Sequence, residues 1–299
     1  MPAAQASPRN VRRRAGDHPT HGSKNPTAGT IRKTVVVLGA TSAAGRGAVR
    51  AATAAGRRVV AVAPDRAGLA GLRALYPASD LVVRIARFAT DAESARLVAW
   101  LRGEDRPIDG VIDAMPAGPG RGRVIDQPTE VLGDTLATDL LPHLSAARHL
   151  IPLLADAWRG GSYVLIGGPG SEAAWLNYGR RSIAAAALRM LASVLHDEAQ
   201  ALDVRVQMLL LETPVRGETC AAHQCPHWLS GDAIGERALQ LIARDGAGKP
   251  AHPVVYYGRR VDSAAARTTS NGGRFTDVRS FLENLTSADR IEVYPDDNA

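Results

Sequence analysis

The stretch from Thr34 to Arg66 constrains the fold more than any other part of the chain. It opens with TVVVL, a β-branched apolar run short enough to be a parallel strand buried on both faces. Gly39-Ala-Thr-Ser-Ala-Ala-Gly45-Arg-Gly47 follows, then a small-residue helical segment, then a second apolar run from Val59 to Ala63. Strand, glycine turn, helix and strand in this order form the context in which such a turn holds a dinucleotide. Gly39 lets the chain leave the strand sharply. Gly45, with the small residues Ala43 and Ala44, lets a pyrophosphate reach backbone N–H groups at the helix N-terminus. The literal G-x-G-x-x-G is absent. The turn reads G-x-x-S-x-x-G, with Ser42 at the middle position, and a glycine turn in a cofactor-free α/β protein is the alternative. The contact set expected from this segment is Gly39, Thr41, Ser42, Ala43, Ala44, Gly45 and Arg46.

Further along, apolar runs and helical periodicities alternate. Leu69, Leu72 and Leu75 lie at helical spacing before Pro77. Strands are expected at 81–86, 108–115, 162–166, 204–211 and 253–257. Helices are expected from Asp91 as N-cap, over 129–158 with a kink at Pro142, over 178–201 and over 232–243. Seven strands alternating with helices predict an α/β, doubly wound, Rossmann-like parallel sheet. Ligands of such sheets bind beyond the carboxyl ends of the strands. That places the site at Gly39, Ala63, Met115, Gly167 and Glu212.

Three segments are expected in the 299 residues. Residues 1–31 form a disordered basic tail, 32–262 the Rossmann-like domain, and 263–299 an extension with one amphipathic helix. In that helix Phe275, Val278, Phe281, Leu282 and Leu285 share a face. The net charge of +6 is concentrated in the first 33 residues, so the body is near neutral and carries no nucleic-acid footprint. No apolar run reaches membrane-spanning length and no signal-peptide core stands near the start. Cys220 and Cys225 alone make no disulfide framework, and the expected compartment is the cytoplasm. The cluster Cys220, His223, Cys225 and His227 fits no zinc-finger spacing, so no metal site is assigned; a substrate-lining histidine or plain loop residues are the other readings.

In the order of these elements and in several residues the chain resembles the short-chain dehydrogenase/reductase family, over roughly residues 33–258. The segment 34–47 stands at the family's first strand and turn. Ala114-Met115-Pro116-Ala117-Gly118 stands at its N-N-A-G strand end, and Asp139-Leu140 at its N-L pair. Tyr178 stands at the catalytic tyrosine, and Thr213-Pro214-Val215 near its P-G-x-V. The resemblance implies a nicotinamide cofactor, with Ala114, Met115, Pro116 and Thr213 joining the cofactor set. It implies redox chemistry on a small carbonyl or alkene, and a homodimer or homotetramer built through the two long helices.

The departures fall on the catalytic positions. Where the family has Tyr-x-x-x-Lys, Ser182 follows Tyr178, and the only lysines are Lys24, Lys33 and Lys249. Gly167 and Gly168 stand near the serine position, with Ser171 later in the loop. Asp139 replaces the asparagine. A tyrosine hydroxyl with a pKa of about 10 is a poor proton carrier at neutral pH without a cationic neighbour. Arg181, one helical turn after Tyr178, is the available cation. Asp139 enters a water relay, or else faces Arg148 or solvent. Ser171 and Ser182 complete the candidate set. At the end of the second strand, Ala63 is followed by Asp65 and Arg66. Arg46 and Arg66 suit a 2′-phosphate and favour NADP, whereas Asp65 would suit the ribose of NAD. Phe88 either flanks adenine or is core. Two functional readings stand: an NADP-dependent reductase with a non-standard site, and a degenerate member doing non-redox chemistry (cyclisation or dehydration) or serving as a partner subunit.

Overall fold

The computed structural model describes residues 33–104, 106–118, 120–156, 161–216, 228–243 and 252–258. The basic tail, the Cys220–His227 cluster and the C-terminal extension lie outside the described residues. In chain order the elements are β1 (Thr34–Leu38), α1 (Ala43–Ala54), β2 (Arg58–Ala63), α2 (Arg66–Leu75), β3 (Leu81–Ile85), α3 (Asp91–Gly103) and β4 (Ile108–Asp113). These are followed by α4 (Thr129–Asp139), α5 (Leu141–Ala155), β5 (Ser162–Gly167), α6 (Gly179–Ala199) and β6 (Arg205–Leu211). Last come β7 (Val215–Arg216), β8 (Leu229–Ser230), α7 (Gly231–Ile242) and β9 (Val254–Tyr257).

Seven strands pair in the order β3-β2-β1-β4-β5-β6-β9, and every pairing is parallel. The chain winds outward from β1 in both directions, as a doubly wound sheet requires. Strand side chains alternate between two cores. Val36, Leu38, Val60, Val62, Val111, Tyr163 and Leu165 face α3, α5 and α6. Val35, Val37, Val59, Ala61, Ile112 and Val164 face α1, α2 and α7. Covering both faces explains why the strands read as continuous apolar runs. α1 and α7 pack backbone to backbone: a Cβ on Gly47 would collide with the Gly231 carbonyl, and one on Gly235 with Gly47.

Several local expectations are corrected. Thr90, not Asp91, caps α3, accepting from the Glu93 amide. Helix 129–158 is two helices that meet at Leu140, because Pro142 needs the first turn of a new helix, where its missing N–H costs nothing. Ser230 caps α7 and accepts from the Ala233 amide. β7 and β8 pair within the stretch that carried no periodic signal. No helix among the described residues is long and apolar enough to cross a membrane.

Candidate active site

β1, β4, β5 and β6 end on one rim of the sheet. Leu38 is in register with Asp113, and Asp113 with Leu165. Above that rim lies a cavity of about 570 Å³. The start of α1 forms one wall through Ser42, Ala43 and Ala44, and the β4 end contributes Ala114, Met115 and Pro116. Tyr178, Arg181 and Leu188 come from α6 and its N-cap, Asp139 and His143 from α4 and α5, and Pro214 and Val215 from beyond β6.

The α1 wall is built by its cap. Ser42 Oγ accepts from the Gly45 amide at 2.9 Å and donates to the Ala114 carbonyl at 2.9 Å. One hydroxyl thus both caps α1 and ties it to the end of β4. Gly39 adopts a φ of +64° and lies against the Ala114 backbone, so a side chain fits neither its conformation nor its space. Gly45 faces the Gly39 carbonyl with no room for a Cβ. The amides of the first helical turn have no acceptor within the helix, so the Ala43–Ala44 edge is a natural anion seat.

Tyr178 is the N-cap of α6 and is 8% exposed. Its ring meets Trp175 edge to face, with centroids 6.3 Å apart. Arg181 lines the same cavity one turn later. Asp139 is also on the wall, but it neither pairs with Arg148 nor faces solvent. Its Oδ1 accepts from the Gly118 amide at 3.0 Å and from Thr138 Oγ1 at 3.1 Å, tying the loop after β4 to the end of α4. Arg148 instead pairs with Asp91 at 2.7 Å.

The remaining expected site residues divide. Ser182 turns inward and its Oγ accepts from the Trp175 amide at 3.0 Å, which makes it a brace for the loop before α6. Ser171 is buried and does not line the cavity. Thr41, Arg46, Ala63 and Arg66 lie beyond the cavity wall, around the α1 turn and the β2 end. Arg46 Nε donates to the Thr41 carbonyl at 3.1 Å. Arg66 begins α2 and is exposed. Thr213 stands next to the lining residue Pro214, and its Oγ1 is shielded without a hydrogen-bond partner among the described residues. Phe88 is core, packed among the residues of the α3–α5–α6 face.

Sequence reasoning missed a buried polar group behind the cavity wall. Asp113, wholly buried at the end of β4, binds His143 Nδ1 through Oδ2 at 2.8 Å. The Tyr163 hydroxyl donates to the same oxygen at 3.0 Å, and the Met115 amide donates to Oδ1 at 3.3 Å. Burial pulls the His143 pKa down, but the Asp113 charge, its hydrogen bond and the more distant Asp139 outweigh that and raise it. Burial, with the Asp113 charge and hydrogen bond, pushes the Tyr163 hydroxyl far above its ordinary range, so it stays a donor. A carboxylate closing an apolar strand was the available signal, since a charge buried in a parallel sheet demands a partner.

Neither the family models nor the curated proteins compared with the chain give a match. Solved structures do. A short-chain dehydrogenase/reductase from Mycobacterium ulcerans superposes with a TM-score of 0.67 at 19% identity, covering 75% of this chain and 87% of that one. An oxidoreductase of the short-chain dehydrogenase/reductase family from Burkholderia thailandensis gives 0.66 at 22% identity, covering 81% and 98%. A variant of actinorhodin polyketide ketoreductase, solved with NADPH, gives 0.65 at 18% identity, covering 76% and 96%. The chain therefore has the fold of the short-chain dehydrogenases/reductases.

Proposed function

We propose that the protein is an NADP-dependent oxidoreductase acting on a small organic carbonyl or alkene compound. The observation that carries this reading is a single cavity joining the open first turn of α1 to Tyr178. A dinucleotide fits the residues present. The Ala43–Ala44 edge offers amides for the pyrophosphate, and Gly39 and Gly45 leave the turn without side chains. Thr213 Oγ1, shielded and unpartnered among the described residues, suits a carboxamide. Arg46 and Arg66 flank the turn and the β2 end, where a guanidinium fork suits a 2′-phosphate. The structural neighbour solved with NADPH supports the same choice. When bound, the cofactor supplies or accepts a hydride.

Tyr178 presents its hydroxyl to the substrate oxygen as acid or anchor, and Arg181 supplies positive charge to the same wall. Asp139 holds the loop after β4 against the end of α4, on the wall of the same cavity. The mostly apolar remainder excludes water and fits a compact organic molecule. Reduction of members of a panel of aldehydes, ketones, 1,2-diketones and enones, followed by NADPH absorbance, tests the reading. Oxidation of NADPH by some members supports it; an inert panel removes it.

A homo-oligomer is part of this proposal. Leu141 and Leu144 on α5, and Ile183, Met190 and Val194 on α6, are exposed on the two long helices through which family analogy builds dimers and tetramers. Light scattering of the purified protein decides it. We place the protein in the cytoplasm, where two cysteines without a disulfide framework belong.

A further inference from the structure

We propose that His143 is a catalytic acid of this cavity, held by Asp113 so that its outer ring nitrogen gives a proton to the oxygen of a bound carbonyl compound. The assignment rests on the reductase reading above and names a proton donor where the chain lacks the expected lysine. Tyr178 is then the anchor for that oxygen.

Three observations carry it. First, His143 is 3% exposed and lines the cavity together with Tyr178, Asp139 and Arg181. Second, Nδ1 is committed to Asp113 at 2.8 Å, and the ring makes no other hydrogen bond among the described residues. A carboxylate on Nδ1 fixes the tautomer in which Nε2 carries the exchangeable proton or the free lone pair. Third, Asp113 cannot swing away. Tyr163 holds Oδ2 and the Met115 amide holds Oδ1, so the imidazole is positioned from β4 and β5 and not by its own helix alone.

The groups around the ring are consistent with proton transfer. Asp113 faces it from β4, with Tyr163 behind from β5. Asp139 acts on it from α4 as a second negative charge. Tyr178 and Arg181 from α6, and Arg121 from the loop after β4, share its cavity. On the α3 side of α5, Asp91 is engaged with Arg148 and His149, so that carboxylate is satisfied elsewhere. The balance of these groups favours the protonated ring.

The step assigned to His143 is the proton half of the reduction. The Nε2–H bond breaks, the O–H bond of the product alcohol forms, and the neutral imidazole takes its next proton from water. The substrate carbon receives its electron pair as the hydride of a dihydronicotinamide, the co-reactant already assigned.

Ring NMR of the histidine-labelled, ligand-free protein tests the placement, with His143→Gln identifying the signal. The ring should titrate above the ordinary imidazole value of about 6.5. In Asp113→Asn it should titrate at lower pH, and the pH profile of NADPH-dependent reduction should shift the same way. His143→Gln should lose about 100-fold or more in kcat while binding NADPH as the native protein does. His149→Gln, on the outer face of α5, should change neither. If His143→Gln does not fold, Tyr163→Phe replaces it. Loss of its hydrogen bond leaves Oδ2 to His143 Nδ1 alone and should move the ring titration and the rate profile together to higher pH.

A ring that does not titrate, a titration indifferent to Asp113→Asn, or full kcat in His143→Gln overturns the assignment alone. Failure of the native protein to bind NADPH, or to reduce any member of the panel, removes the reductase reading and this assignment with it.

Discussion

Asp113 Oδ2 and His143 Nδ1 lie 2.8 Å apart, joining the carboxyl end of β4 to the first turn of α5. The pair makes stability depend on pH in a definite direction. Burial opposes the charged imidazole, but Asp113 and Asp139 outweigh it, so the ring binds its proton more tightly folded than unfolded. The stabilisation from that proton is complete below the ordinary imidazole value of about 6.5. It is lost as pH rises through the raised folded value. Urea midpoints of the native protein and His143→Gln should differ most on the acid side and converge as the solution becomes alkaline. A difference that grows with pH contradicts this account.

Tyr163→Phe removes a buried hydroxyl that donates to a buried carboxylate at 3.0 Å. Hydrogen bonds to charged groups contribute about 1.5–3 kcal/mol, and a loss of that order is expected from denaturant unfolding. A variant as stable as the native protein would mean that Asp113 does not depend on this donor.

Tyr178→Phe keeps the ring contact with Trp175 and the packing at the start of α6. Turnover should fall about 100-fold, with NADPH affinity unchanged, if the hydroxyl anchors the substrate oxygen as proposed. Equal turnover in the variant removes Tyr178 from the chemistry.

Gly47→Val sets a branched side chain against the backbone of Gly231, where α1 and α7 touch. Overpacking of this kind costs about 1–3 kcal/mol. Thermal unfolding should show a lowered midpoint, and an unchanged midpoint would contradict the close packing of the two helices.

The sheet was legible because its inner strands are buried on both faces and flanked by helices with their own period. Runs such as TVVVL and SYVLI carry that signal without help from distant residues. The α1 turn was legible too, since Gly39 and Gly45 answer local demands of backbone and space. The break at Leu140 was half legible: Pro142 marks it, but a kink and a restart look alike until the α4 axis is known. Asp139 was found through its position in the chain, whereas its partner, the Gly118 amide, depends on how the loop after β4 folds back. The Asp113–His143–Tyr163 group joins three elements far apart in sequence, and no spacing rule connects them. Ser182 passed as a site residue on its position in the helix, and only the fold shows it spent on the Trp175 amide.

Calorimetric titration of the purified protein with NADPH and with NADH tests whether the α1 turn and the cavity beside it hold a phosphorylated dinucleotide. NADPH should bind with micromolar affinity and NADH more weakly, with the gap narrowing in Arg66→Ala as the 2′-phosphate loses a partner. Binding of neither nucleotide would contradict this reading, and the glycine turn would then serve the packing of α1 alone.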